Sequence, residues 1–378
     1  MLYIFLFIFL VIIFFELGAR YYLINVLEKS PNKKYRFSYY RVYEHVPNWE
    51  EHDKNGLLRM KINGNGFRRD NEVSKMKPDN TFRAFLMGGS AAHGFSRVKM
   101  RGYPIRHIYQ NETIDAYLEK KLQKEFPQQN IEIINSAVSG YNVFQHTQYI
   151  LSELIYYEPD LIIFFDGIND YFINNPSYNS YLDYRYQFWK SRLQDPSLSG
   201  LLDYFTYYMA NYSALFRGYF GLKLQKNVSK FIDQNADFEN DNENINLYKI
   251  VSQKQIFRHL DINYYLLKKE GIDIINCFQP LLNLRNDHML TKEEMNLKFG
   301  PPSNIELYPT IVEQLDLLSS KYSIDFIDFN PIFNHQEYKG EQLFLDYCHL
   351  TPRGGEVIAD KLFPLVEKKI KESLGGFK

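Results

Sequence analysis

From Phe82 to its end, this chain alternates short apolar runs with longer amphipathic stretches. The runs at residues 82–87, 131–135, 161–165, 272–278 and 324–328 are compact and almost wholly apolar, as strands covered on both faces should be. Between and after them, residues 113–126, 144–156, about 249–270, 305–321 and 353–373 carry apolar positions at helical spacing. Strand and helix in alternation predict parallel βαβ units, hence an α/β fold on a doubly wound, five-stranded parallel sheet. Ligands of such sheets bind just past the carboxyl ends of the strands.

Two stretches break the rhythm. Residues 28–80, rich in Asn, Lys and Gly, read as a linker and preamble with short strands or turns, the clearest turn being Asn63-Gly64-Asn65-Gly66-Phe67-Arg68. Residues 171–247 are far longer than a loop and helix require and predict an ordered insertion in the main domain, residues 81–378. The insertion carries Tyr178, Tyr181, Tyr184, Tyr186, Phe188 and Trp189, then Tyr204, Phe205, Tyr207, Tyr208 and Tyr212. These aromatics read as the insertion's own small core or as a lid, a glycan platform or a membrane-facing surface bordering the site. Its end, residues 233–246, is acidic and Asn-rich and reads as a solvated loop.

The amino terminus has a different pattern again. Residues 1–15 are apolar throughout, and the apolar character continues to Ile24 with only Glu16 and Arg20 interrupting, a pair one helical turn apart. A bilayer span needs ~20 residues, so residues 1–27 are read as an uncleaved membrane anchor. The competing readings are a secretory signal peptide, which fits less well since no basic segment precedes the run and no obvious small-x-small cleavage site follows it, and a buried core helix. Arg20, Lys29, Lys33, Lys34 and Arg36 follow the span and no Lys or Arg precedes it, which by the positive-inside rule places the main domain in the cytoplasm.

Composition narrows the classes. The 378 residues suffice for a substantial core, and 44 Lys and Arg against 45 Asp and Glu give no electrostatic reason for a nucleic-acid partner. The 31 Tyr and 30 Phe exceed what a core needs, although a codon bias toward Tyr, Phe, Asn, Lys and Ile accounts for them equally well. Two cysteines, Cys277 and Cys348, supply no disulfide framework.

Candidate chemistry falls at the strand ends. Ser90 follows Gly88-Gly89 and precedes Gly94, so its hydroxyl sits at a tight strand-to-helix turn. A hydroxyl needs a base to become a nucleophile. Asp346 stands three residues before His349, so one loop can hold a general base and the carboxylate that orients it. Gly140 offers a backbone N–H and Asn169 a side-chain amide to a developing oxyanion. Asn135 and Asn142 flank the glycine turn and shape it, and Asp170 reads as a helix N-cap. Taken alone, Gly-Gly-Ser reads by default as a phosphate-binding turn or a simple tight connection, and Asp346 with His349 as a helix-start loop with a satisfied histidine. His93, His107 and His146 lack the spacing of metal ligands, so no metal and no cofactor are assigned. The small Cys348 beside the base reads as packing.

In order, Gly88-Gly89-Ser90-Ala91-Ala92-His93-Gly94, Asn135-Ser136-Ala137-Val138-Ser139-Gly140, Gly167-Ile168-Asn169-Asp170 and Asp346-Tyr347-Cys348-His349-Leu350 resemble the four blocks of the SGNH hydrolase superfamily, the GDSL-like esterases and lipases. The resemblance spans about residues 82–370. It implies a flavodoxin-like three-layer α/β/α sandwich and a catalytic triad of Ser90, His349 and Asp346. The oxyanion donors it implies are the Ser90 and Gly140 N–H groups with Asn169. Residues 63–68, with Lys77-Pro78 and Phe82-Arg83, resemble the preamble of bacterial membrane-anchored members, which implies an extracytoplasmic catalytic domain. Gly89 stands where the family name has an Asp, and the aromatic insertion is no part of the minimal fold. The expected activity is hydrolysis of acyl esters, acetyl foremost, on a small-molecule, carbohydrate or lipid-linked substrate. Acyl transfer to a glycan through the same site, a non-catalytic glycan-binding or assembly role, and a cytoplasmic thioesterase are the alternatives.

Overall fold

The computed structural model describes residues 2–22, 34–38, 40–97, 102–172, 242–298 and 305–375, with single residues and short pieces between 197 and 219. The chain forms two compact units, residues 1–34 with 175–252, and residues 35–174 with 253–378.

In the first unit, α1 (Leu2–Tyr22) carries a 20-residue stretch, Tyr3–Tyr22, that is long and apolar enough to cross a membrane and is wholly unburied. The expected pair one turn apart forms, with Arg20 Nε donating to Glu16 at 2.8 Å. Glu16 also accepts from Ser213 Oγ at 2.6 Å and from the Ala214 N–H at 2.7 Å. Of the aromatics expected in the insertion, Phe205 is described and half exposed, at 50%. Tyr178, Tyr181, Tyr184, Tyr186, Phe188, Trp189, Tyr204, Tyr207, Tyr208 and Tyr212 lie outside the described residues.

The second unit begins with two antiparallel pairs, β1 (Tyr35–Ser38) with β2 (Val42–His45) and β3 (Glu50–His52) with β4 (Leu58–Lys61). There follow β5 (Thr81–Gly88), α2 (Ser90–His93), α3 (Ile114–Glu125), β6 (Asn130–Asn135), α4 (Val143–Ser152) and β7 (Leu161–Asp166). After α5 (Asn242–Lys269) come β8 (Asp273–Phe278), α6 (Lys292–Leu297), α7 (Tyr308–Lys321), β9 (Asp325–Asp328), α8 (Phe329–Ile332) and α9 (Pro352–Gly375).

The five later strands form one parallel sheet in the order β6-β5-β7-β8-β9. That order is the flavodoxin-like one, whose topological switch point lies between β5 and β7. Successive strand residues point to opposite faces. Leu161, Ile163 and Phe165 of β7 therefore pack with Leu118 and Leu122 of α3 and with Val357, Leu362 and Val366 of α9. Ile162 and Phe164 pack instead with Ile150 of α4, Leu260 and Tyr264 of α5, and Ile311 and Leu315 of α7. The result is a three-layer α/β/α sandwich.

Two expected boundaries moved. The helix expected from about residue 249 begins at Asn242, so the acidic, Asn-rich end of the insertion is partly helical. The helix expected over 144–156 ends at Ser152 and gives way to a 3₁₀ turn, Leu154–Tyr157. The break falls where Glu153 accepts from Arg41 Nη2 at 2.9 Å.

Residues 35–80 of the preamble belong to the sheet-bearing unit. Asn63 Oδ1 accepts from the Asn65 and Phe67 N–H groups, which fixes the expected turn. The turn delivers Phe67, fully buried, into the core beside Phe85.

Candidate active site

The site residues arise at three neighbouring strand ends and one loop. Ser90 opens α2 directly after β5, and Asn169 lies in the turn Ile168–Phe172 after β7, so the two flank the switch point. Gly140 lies in the loop after β6, with φ +83°, a backbone conformation that favours glycine. Asp346 and His349 belong to the loop that leads into α9.

The Ser90 hydroxyl donates to His349 Nε2 at 2.7 Å. On the far side of the ring, Nδ1–H donates to Asp346 Oδ2, also at 2.7 Å. The remaining carboxylate oxygen, Oδ1, accepts the N–H groups of Cys348 at 3.0 Å and His349 at 2.8 Å. The short Asp-x-x-His spacing thus lets the carboxylate fold back on its own loop and hold the imidazole by a second route. Phe95 lies against the His349 ring, centroids 4.8 Å apart, and Tyr347 is 6.3 Å away.

Electrostatics match the geometry. Burial opposes a charge on His349, yet the neighbouring Cys348 and then the Asp346 carboxylate outweigh it and raise the imidazole well above its ordinary value. The Cys348 thiol is itself pushed up by burial. Burial works against ionised Asp346, but His349 and the two backbone N–H groups together hold it below the usual carboxylate range. Asp346, Cys348 and His349 have potential ligand atoms within 4.8 Å of one another. Both ring nitrogens are already engaged, so a metal there would have to displace Ser90 or Asp346.

The Asn169 amide donates to the Tyr141 carbonyl at 2.9 Å, which ties the β7 turn to the glycine loop. It also sits directly over Gly89, where a Cβ would lie 2.2 Å from Asn169 Nδ2. A side chain at the position where the resemblance expects Asp would therefore displace the amide. Gly89→Ala is predicted to lower the rate of ester hydrolysis ~10²–10³-fold, the usual cost of losing one oxyanion donor. Steady-state kinetics on a folded variant checks this, and a change below threefold would separate Asn169 from the chemistry.

Other expected roles are redistributed. Asn142 caps α4, accepting from the Phe144 N–H at 3.1 Å, while Asn135 Nδ2 donates to the Ala92 carbonyl behind Ser90 at 3.1 Å and to Asp115 at 2.7 Å. Asp170 does cap a helix, though α4 rather than one of its own, accepting from the Val143 N–H at 2.8 Å. The three histidines lacking ligand spacing are engaged separately: His93 with the Ala137 carbonyl, His107 with Arg59 and His146 with Asp166.

The preamble supplies supports that the sequence reading did not assign. Tyr43 OH donates to the Ser139 carbonyl at 2.8 Å beside Gly140, and Tyr141 OH donates back to the Tyr43 carbonyl. Arg68, almost completely buried, donates through Nη1 to the His93 and Gly94 carbonyls at 2.6 and 2.8 Å. Its Nη2 donates to the Ile108 and Tyr109 carbonyls at 3.1 and 3.2 Å. One guanidinium therefore ends the helix that Ser90 begins. Its burial lowers its pKa to about 10, so it stays charged at neutral pH. Arg68→Ala would strand these carbonyls and is predicted to cost stability, at roughly 1–3 kcal/mol for each buried acceptor left without a donor. The midpoint of urea unfolding is the readout.

No known family profile matches the chain, and no curated relative matches it. Among solved structures it is similar to an acetyl xylan esterase, AlAXEase, at 14% identity and a TM-score of 0.40, over 75% of this chain and 100% of that one. It is similar to a GDSL-like lipase from Bacteroides thetaiotaomicron VPI-5482, at 12% identity and a TM-score of 0.38, over 78% and 92%. A third is a two-domain esterase active on acetylated mannans, co-crystallised with mannopentaose, at 10% identity and a TM-score of 0.40, over 76% and 50%.

Proposed function

We propose that this chain is a serine ester hydrolase of the SGNH, GDSL-like type. In this reading it is anchored in a membrane through α1 and removes acyl groups, acetyl foremost, from a carbohydrate or lipid-linked substrate. The observation that carries the reading is the continuous relay from Ser90 through His349 to Asp346, with both contacts at 2.7 Å.

The steps follow from that relay. Ser90 Oγ attacks the ester carbonyl as His349 Nε2 takes its proton, and Asp346 stabilises the imidazolium so formed. The oxyanion is met by the N–H groups of Ser90 and Gly140 and by the Asn169 amide. Collapse breaks the ester C–O bond, the departing alcohol takes the proton from His349, and the acyl group remains on Ser90. Water, deprotonated by the same imidazole, then attacks the acyl-enzyme and releases the acid.

The membrane helix and the tyrosine-rich insertion support the carbohydrate or lipid-linked part of the substrate. The full chain in detergent is expected to hydrolyse p-nitrophenyl acetate faster than the octanoate and to be labelled at Ser90 by a fluorophosphonate. A folded protein that does neither would defeat the reading. Labelling without hydrolysis would move it to acyl transfer, which a sugar acceptor and product analysis would then detect.

Membrane anchoring predicts that the full chain stays with the membrane pellet through an alkaline carbonate wash. The basic residues after the span place the main domain in the cytoplasm, whereas the resemblance to membrane-anchored members places it outside. A carboxyl-terminal reporter that is active on only one side decides between them.

A further inference from the structure

Behind Asn169 lies a group of buried charges that the mechanism above does not use. Asp166 ends β7, Asp170 follows Asn169, and His146 lies in the first turns of α4, all between 1% and 8% exposed. His146 Nδ1 is 3.3 Å from Asp166 Oδ2, without the alignment of a good hydrogen bond. Among the described residues the second oxygen of Asp170 has no hydrogen-bond partner, nor does either oxygen of Asp166. Unsatisfied buried carboxylates cost stability, so a set of them at one strand end calls for an explanation.

Their connections supply one. Asn169 and Asp170 are adjacent, and both are clipped to the loop that carries Gly140, Asn169 to the Tyr141 carbonyl and Asp170 to the Val143 N–H. His146, one turn along the same helix, reaches Asp166 at the base of the Asn169 turn. It also faces the Gly88 carbonyl, at the end of the strand that delivers Ser90. The group therefore fastens the nucleophile's strand, the glycine loop and the asparagine turn to one another. We propose that His146, Asp166 and Asp170 are positioning residues that set the spacing of the Gly140 N–H and the Asn169 amide around the oxyanion. This rests on the serine ester hydrolase reading of the site.

The arrangement carries a pH dependence. Burial works against a charge on His146, but Asp166 and then Asp170 outweigh it and raise its pKa. Asp170 is pushed up to about 8, by burial first and then by the Asp166 charge. The remaining titratable groups facing the cluster are Tyr171 in the same turn, Tyr264 from α5 and Cys277 from β8. All three are pushed well above their ordinary values by burial, so they stay neutral while Asp170 ionises. Above about pH 8 a further negative charge, that of Asp170, thus stands one residue from the oxyanion donor. It opposes the charge that develops there.

The test uses the full chain in detergent, the fluorophosphonate labelling rate, and kcat and KM for p-nitrophenyl acetate across pH. Asp170→Ala is expected to lower kcat and the labelling rate ~10²-fold with KM nearly unchanged, as for loss of oxyanion geometry alone. Asp170→Asn keeps an acceptor for the Val143 N–H. It should recover most of that rate and lose the fall in kcat/KM that the natural chain shows above about pH 8. A folded Asp170→Ala chain with unchanged kcat, or an Asp170→Asn chain with the same alkaline fall, would overturn the positioning role and leave the esterase reading standing. A natural chain that is neither labelled nor active would overturn both.

Discussion

Ser90→Ala is expected to reduce ester hydrolysis by roughly 10⁴–10⁶-fold and to abolish fluorophosphonate labelling, the scale of loss when a serine nucleophile is removed from a triad. The size follows from what remains. Without Oγ no acyl-enzyme forms, and His349 can act only on water in a site shaped around a covalent intermediate. Folding should be spared. Ser90 is half-buried and, among the described residues, its hydroxyl bonds only to His349 Nε2, so the variant strands one imidazole nitrogen near solvent. Equal unfolding midpoints with a collapsed kcat are therefore the expected pair of results. Retained hydrolysis at a tenth of the natural rate or more would show that the chemistry runs elsewhere.

The outcome bears on how much of this chain its sequence makes legible. The five strands of the sheet were readable because each is a compact apolar run. Ile162 and Phe164 face one helix layer while Ile163 and Phe165 face the other, so residues 161–165 of β7 have to be apolar. Ser90, Gly140 and Asn169 were legible as candidates because each follows a strand closely, and strand ends are where such sheets bind ligands. Asp346 and His349 were legible through their spacing.

What escaped depends on contacts distant in sequence. Arg68 sits in a polar, turn-like stretch, and nothing local shows that its guanidinium ends the helix begun by Ser90. Asp170 read as a cap for its own segment, whereas the N–H it accepts is that of Val143, 27 residues earlier. His146 and Asp166 lie at helix and strand positions where a polar residue looks incidental, and only the fold brings them together. The exception in kind is Gly89. Its departure from the expected Asp was visible, but its reason, the Asn169 amide lying directly over it, required coordinates.

Asp346→Asn should be nearly as damaging as loss of the nucleophile, with kcat falling ~10⁴-fold, the scale found when a triad carboxylate becomes an amide. The local hydrogen bonds explain why the substitution cannot be accommodated by a flip. Asp346 Oδ1 accepts two backbone N–H groups, from Cys348 and His349, so an amide placed there must offer its oxygen to them. Its NH₂ then faces His349 Nδ1, which can only accept. The ring proton moves to Nε2, where it can no longer take the proton of Ser90. The pH profile gives an independent readout. In the natural chain His349 is raised well above its ordinary value, so kcat/KM should climb with pH through that displaced titration, because only the neutral ring accepts from Ser90. Removing the Asp346 charge takes away one of the influences that raise the imidazole pKa against burial. The rising limb of the residual Asp346→Asn activity should therefore lie at lower pH than in the natural chain. A rising limb at unchanged pH, or a loss of less than tenfold, would mean that something other than Asp346 sets the charge and tautomer of His349.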